Sequence, residues 1–240
     1  MTNTVDVLAI AAHPDDSELI CGGTLARCVA LGHTAGIVAL TAGELGTRGS
    51  PEIREKEAAA SGRVLGLAFR ETVGLPDGGV VNSPENRARL ALVIRRAKPS
   101  IVITHSLRGR HPDHAVTAQL VRDSCFVAGL RNVEPGTPPH RPRKILHAIS
   151  FREDAEKPTF VVDISESFEK KLDAIRCFAS QFTDVNQAGE VYPNGEPLLD
   201  LIRHHAAHYG SMIRARYGEP FHTTETMRVD DITKLEVATL

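Results

Sequence analysis

Val5-Asp-Val-Leu-Ala-Ile-Ala-Ala-His13-Pro-Asp-Asp16 passes within twelve residues from an apolar run to a cluster of metal-ligand and acid/base side chains. The run up to Ala12 is apolar without alternation, as expected of a strand buried on both faces of a parallel sheet. Pro14 then keeps the junction from continuing as a regular helix. Arg110-His-Pro-Asp-His114 repeats the same alphabet after a second apolar run, Ile101-Val-Ile-Thr104. In open α/β sheets ligands bind at the carboxyl ends of the strands. The two stretches, about a hundred positions apart, are therefore expected to meet on one sheet edge around a divalent metal.

The surrounding pattern supports that sheet. A helical repeat from Glu18 stops at Gly32-His33, and Thr34 to Leu40 reads as the second strand. A glycine-rich loop, 41–50, leads into a charged helix from Pro51 to Gly66, with proline in its first turn. Phe69 to Gly74 fits a third strand, followed by the turn Leu75-Pro-Asp-Gly-Gly. Ser83-Pro84 opens a helix to about Ala97, the strand from Ile101 follows, and a helix from Pro112 or His114 runs to about Ala128. Later strands are expected at 145–149 and 160–164. Helices are expected from the cap Ser165 to about Ser180 and over 198–216, and the tail from Tyr217 reads as irregular. The alternation predicts one Rossmann-like α/β domain over 1–240, a mostly parallel sheet covered by helices on both faces.

Bulk properties narrow the function classes. With 42% hydrophobic and 24% charged residues and a net charge of -2, the chain has neither a nucleic-acid nor a membrane footprint. No apolar run approaches the roughly 20 residues of a membrane span, and no signal peptide is evident, so a cytoplasmic location is expected. The four cysteines lack C-x-x-C spacing and read as core residues rather than disulfides. Eleven histidines are the unusual feature.

His13, Asp16 and His114 form a two-histidine, one-carboxylate set, the ligand type of a catalytic zinc site that keeps a position open for water. Adjacent residues in a non-helical turn diverge, so Asp15 and Asp16 need not both ligate: one can bind the metal while the other faces the bound water as general base. His111 and Asp113 are expected to orient ligands and relay protons. Plainer readings exist for each motif alone: an Asx-capped turn for the first, an acidic helix N-terminus for the second. Gly22-Gly23 lacks the full dinucleotide-binding pattern. The same triad also describes a non-haem Fe(II) oxygenase, or a sugar-binding module with a structural metal.

Ala12-His-Pro-Asp-Asp-Ser-Glu18, Cys21-Gly-Gly-Thr-Leu-Ala26 and Arg110-His-Pro-Asp-His114 resemble the signature of the LmbE-like, or PIG-L, zinc N-deacetylases. Leu40-Thr-Ala-Gly-Glu-Leu-Gly-Thr-Arg-Gly49, Gly74-Leu-Pro-Asp-Gly78, Phe160-Val-Val-Asp-Ile-Ser165, Ser180-Gln-Phe182 and Tyr217-Gly-Glu-Pro-Phe221 are similar to its bacillithiol-biosynthesis branch. That branch deacetylates N-acetylglucosaminyl-malate. The resemblance implies His13, Asp16 and His114 as ligands of Zn2+ (Fe2+ being the alternative metal), Asp15 as base with His111 and Asp113 in support, and Arg54 as a substrate-holding residue. It also implies a small-molecule GlcNAc conjugate as substrate, inositol-linked and oligosaccharide conjugates included, and a homo-oligomer, hexamers being common. Glu44 and Arg48 lie on the same rim as candidate substrate contacts. Relatives place a tyrosine over the metal where this chain has Leu198, which leaves Tyr192, six residues earlier, as the candidate replacement.

Overall fold

The computed structural model describes residues 4–133, 136–151, 157–182 and 198–237. Its seven strands are β1 (Val7–Ala11), β2 (Ala35–Ala39), β3 (Phe69–Thr72), β4 (Ile101–His105), β5 (Lys144–Ala148), β6 (Phe160–Asp163) and β7 (Gly218–His222). The helices are α1 (Asp16–Ala30), α2 (Pro51–Leu65), α3 (Pro84–Ala97), α4 (Pro112–Ala128), α5 (Phe168–Arg176), α6 (Ala179–Phe182) and α7 (Leu198–Met212). One sheet of order β3-β2-β1-β4-β5-β7-β6 results, parallel except for β7, which runs antiparallel to both neighbours. This is the α/β domain expected from the alternation of strands and helices.

Each strand feeds two cores because successive side chains point to opposite faces. Leu8 and Ile10 of β1 join Val38, Val102, Leu90, Ile94 and Leu120 on one face. Val7 and Ala9 join Ile37, Ile103, Leu25 and Leu65 on the other. Burying each large aliphatic side chain contributes about 1.5–3 kcal/mol, and that sum holds the helices to the sheet. Local signals set the helix ends: Ser50 and Ser83 cap α2 and α3, each with proline in the first turn, and Gly66 closes α2 in a left-handed conformation (φ 76°).

Three expectations for the second half of the chain need correction. The tail from Tyr217 is not irregular: Gly218–His222 forms β7, inserted between β5 and β6. Ser165 does not cap a helix to Ser180. Its hydroxyl instead accepts the Arg216 and Tyr217 N–H groups, and helix begins at Phe168, with a break between Arg176 and Ala179. The last helix stops at Met212 rather than Arg216, because the chain turns back so tightly that a Cβ on Gly210 would sit 2.8 Å from Tyr217 backbone atoms. Among the described residues, no helix is long and apolar enough to cross a membrane.

The strand β7 also explains a kink. Cys21 leaves helical geometry inside α1 (φ -147°, ψ 15°), which exposes the Gly23 and Thr24 N–H groups. Glu219 of β7 accepts both, at 2.9 and 2.7 Å, and pairs with buried Lys171 at 2.6 Å. A carboxylate at a helix start is favoured by the helix dipole.

Candidate metal centre

The strand order reverses between β1 and β4, since the chain steps outward through β2 and β3 before returning to β4 and β5. Crevices at such points, outside the carboxyl ends of the strands, are the usual ligand sites of open α/β sheets. His13, Asp15 and Asp16 follow β1, His105 ends β4, and His111 caps α4. The crevice therefore gathers three histidines and two aspartates from the ends of β1 and β4 and the start of α4.

The structure brings His13, Asp16 and His114 together. His13 Nδ1 is 3.0 Å from Asp16 Oδ2, His114 Nε2 is 3.2 Å from the same oxygen, and the two ring nitrogens are 3.3 Å apart. Tetrahedral zinc with bonds of about 2.0–2.1 Å would hold its ligand atoms about 3.3 Å from one another. The donor set thus fits such an ion in type and in spacing.

Other donors crowd the cluster, and hydrogen bonding sorts them. His13 Nε2 faces Asp77 Oδ1 at 3.0 Å and Asp113 Oδ2 at 3.4 Å. Two carboxylates there keep the proton on Nε2 and leave the Nδ1 lone pair toward Asp16 and His114, as a carboxylate behind a metal-bound histidine does. His105 Nε2 also lies near Asp16 Oδ2, at 3.4 Å, but it accepts the Ala12 N–H at 3.0 Å. The lone pair that a metal would need is engaged. His105 instead stacks on His114, centroids 4.0 Å apart, and its carbonyl accepts from His147 Nδ1 at 2.8 Å.

The two adjacent aspartates live apart. Burial would raise the Asp16 pKa, yet His114, His13 and His105 hold it well below the carboxylate range. Burial raises the Asp15 pKa, the Arg54 guanidinium opposes this, and the Asp16 charge adds to it. Asp15 Oδ1 lies 3.1 Å from Arg54, whose other terminal nitrogen donates to the Gly43 carbonyl at 3.0 Å. Gly43 must be glycine here: its φ is 70°, and a Cβ would fall 1.9 Å from the guanidinium. Among the histidines, burial would depress His13, but the Asp16, Asp15 and Asp77 carboxylates lift it to about 9, so a metal at Nδ1 would have to displace a proton there while Nε2 keeps its own. Burial, then the His114 charge, lowers His105 to about 4. Burial and the charges of His13 and His114 lower His111.

The remaining candidates are placed as follows. His111 Nδ1 accepts the Asp113 N–H at 3.2 Å, which leaves Nε2–H as the donor of the neutral ring. The Asp113 carboxylate accepts from the Gly78 and Val80 N–H groups, at 2.8 and 3.3 Å, and faces His13 rather than pairing with His111. Glu44 accepts the Asp77 N–H at 2.8 Å, and Asp77 Oδ2 accepts the Leu45 N–H at 2.9 Å, tying the two rim loops together. Arg48 donates to the Gln181 carbonyl at 3.1 Å. Leu198 packs in a core cluster with Phe168 and Ile202. Tyr192 lies outside the described residues. Sequence reasoning misses Asp77 and His105. Asp77 reads as turn chemistry, and His105 carries the one available signal, a polar residue at the carboxyl end of a parallel strand.

Comparison with known proteins supplies the family. The PIG-L model, described as GlcNAc-PI de-N-acetylase, matches residues 8–125. Diacetylchitobiose deacetylase of Thermococcus kodakarensis is 31% identical, over 89% of this chain and 80% of its own length. A probable N-acetyl-alpha-D-glucosaminyl L-malate deacetylase 2 of Bacillus anthracis is 28% identical, over 81% and 90%. The 4-oxalmesaconate hydratase of Pseudomonas putida is 27% identical, over 72% and 73%. The crystal structure of a conserved protein of Thermus thermophilus, TT1542, superposes with a TM-score of 0.84 at 37% identity, covering 95% of this chain and 98% of that one. The chain belongs to the PIG-L family and is a hydrolase of the deacetylase type.

Proposed function

We propose that the protein is a metal-dependent N-deacetylase that converts the acetamide of an N-acetylglucosaminyl small molecule to acetate and a free amine. The donor triangle of His13 Nδ1, Asp16 Oδ2 and His114 Nε2, with edges of 3.0–3.3 Å, carries this assignment. Zn2+ suits the set, and Fe2+ accepts the same ligands. A bound metal would bring the pKa of a water toward neutrality and draw electron density from the amide carbonyl.

The chain's own residues do the rest. Asp15 stands outside the donor triangle, held by Arg54, and is assigned to take a proton from the attacking water. The water oxygen bonds to the carbonyl carbon, the C–N bond breaks, and the proton on Asp15 passes to the departing nitrogen. Asp77 and Asp113 hold His13 in the tautomer that keeps Nδ1 free. His111, with Nδ1 occupied, suits hydrogen bonding to the substrate carbonyl oxygen through Nε2–H better than proton delivery. Arg54 is assigned to hold Asp15, and Glu44 and Arg48 to shape the rim.

The finer reading is N-acetylglucosaminyl-malate, in line with the resemblance to the bacillithiol branch and with the B. anthracis relative. Diacetylchitobiose is the competing substrate, favoured by the higher identity of the T. kodakarensis relative. Acetate release from both, and from an inositol-linked conjugate, decides between them. Release that stops on chelation and returns with Zn2+ supports the proposal; no acetate from any conjugate contradicts it. The P. putida relative keeps water addition to a carbon–carbon double bond as a second reading, which would yield a hydrated product and no acetate. A homo-oligomer in the cytoplasm is proposed with it, the assembly being measurable by light scattering.

A further inference from the structure

The segment from His13 to Asp16 is a tight turn. The Asp16 N–H approaches the His13 carbonyl at 3.4 Å, and Asp15 has φ -102° and ψ -11°. Those angles are near those of the third residue of a type I turn, with Pro14 at the corner that proline favours. Type I and type II turns with the same corners differ by a flip of the central peptide, here the one joining Pro14 to Asp15. The flip would require a positive φ at Asp15 and would send its carboxylate elsewhere.

The Pro14 carbonyl marks which way that peptide faces, and it has a dedicated partner. Arg70 of β3 donates one guanidinium nitrogen to it and pairs through another with Glu18. Glu18 is 0% exposed and also accepts the Ser61 hydroxyl, while the Phe178 ring lies 5.6 Å from the guanidinium carbon. Burying an ion pair costs several kcal/mol in desolvation, so it is a poor device for stability alone. Neither Arg70 nor Glu18 is one of the metal-donor candidates. What the buried pair holds in place is the grip of Arg70 on Pro14.

We propose that Arg70, anchored by Glu18, is a positioning residue that locks the Pro14–Asp15 peptide and thereby aims the Asp15 carboxylate. The proposal rests on the role given to Asp15 above. His13 and Asp16 stand at the outer positions of the turn and have other anchors: the contacts of His13 with Asp77 and Asp113, and the helix start at Asp16. Releasing the central peptide therefore misdirects the base while leaving the metal donors in place.

Arg70→Lys keeps the charge but offers one nitrogen to two acceptors. Its kcat is expected to fall ~10–100-fold, the scale of an ångström-level misplacement, with KM and the zinc dissociation constant unchanged. Arg70 also lines a cleft of about 530 Å³ beside Pro14, so methylguanidinium is expected to restore part of the kcat of Arg70→Ala. Because Arg70→Ala leaves Glu18 buried and unpaired, the double variant Arg70→Met/Glu18→Gln is made alongside. Its thermal stability is expected to stay near that of the parent while kcat remains low. Wild-type kcat in Arg70→Lys or in the folded double variant overturns the proposal, as does a zinc affinity that falls in step with kcat. If the parent releases no acetate from any conjugate, the deacetylase assignment fails by itself. Crystal structures of the parent and Arg70→Lys then decide the positioning role: a flipped or disordered Pro14 carbonyl in the variant supports it, and an unmoved one overturns it.

Discussion

On one side of the His13–Asp16 turn, the Asp16 carboxylate meets three histidine nitrogens, of His13, His114 and His105, at 3.0, 3.2 and 3.4 Å. On the other, the Asp15 carboxylate meets one guanidinium, that of Arg54, at 3.1 Å. Both aspartates are buried and adjacent in sequence, so composition and depth do not tell them apart. Neighbouring charges do. The histidines hold Asp16 ionised, as a ligand must be, whereas burial raises the Asp15 pKa against the pull of Arg54. Pairs of titratable groups pushed apart by their surroundings are how one site holds separate electrostatic and acid/base roles.

The largest effect is expected on the Asp16 side. His114→Ala opens the donor triangle, and both bound metal after dialysis, read by elemental analysis, and turnover should be lost together. Retained metal with full turnover would move the centre to another donor group. A smaller effect belongs to the carboxylates behind His13. Asp77→Asn weakens the acceptor that fixes the His13 tautomer and should cost ~10–100-fold in metal affinity or activity. An unchanged zinc dissociation constant and kcat would make Asp77 a loop tie only.

The smallest effect, a shift in pH dependence, tests the hold of Arg54 on Asp15. Burial raises the Asp15 pKa and the Arg54 charge opposes that rise. In Arg54→Met the carboxyl should hold its proton to still higher pH, so the acid limb of kcat/KM moves upward. A limb that stays put or moves down would free Asp15 from the control of Arg54.

The first half of the sheet and the meeting of His13, Asp16 and His114 were legible in the sequence because their signals are local. An apolar run ending at His13, a proline in the first turn of α2, α3 and α4 and Gly66 after α2 each declare themselves within a few residues. Gly218-Glu-Pro-Phe-His222 shows the opposite case. A glycine and a proline in five residues argue against a strand. The segment is held by pairing with β5 and β6 and by Glu219 reaching Gly23, Thr24 and Lys171, partners that no local pattern shows. The candidate site divides in the same way. His13, Asp16 and His114 followed from motif and strand end, whereas Asp77 joined them only because the turn after β3 folds over His13. Arg54 enters only through the family resemblance, as a substrate-holding residue, and it is a glycine at position 43 that lets its guanidinium run inward to Asp15.

The division of labour between the two aspartates is tested most directly by Asp15→Asn, assayed for zinc content and for acetate release on the same preparation. Zinc should remain stoichiometric while kcat falls by ~10²–10⁴-fold, the usual contribution of a general base. Zinc-loaded Asp15→Asn protein with undiminished turnover, or loss of zinc along with activity, would contradict the separation of base from ligand.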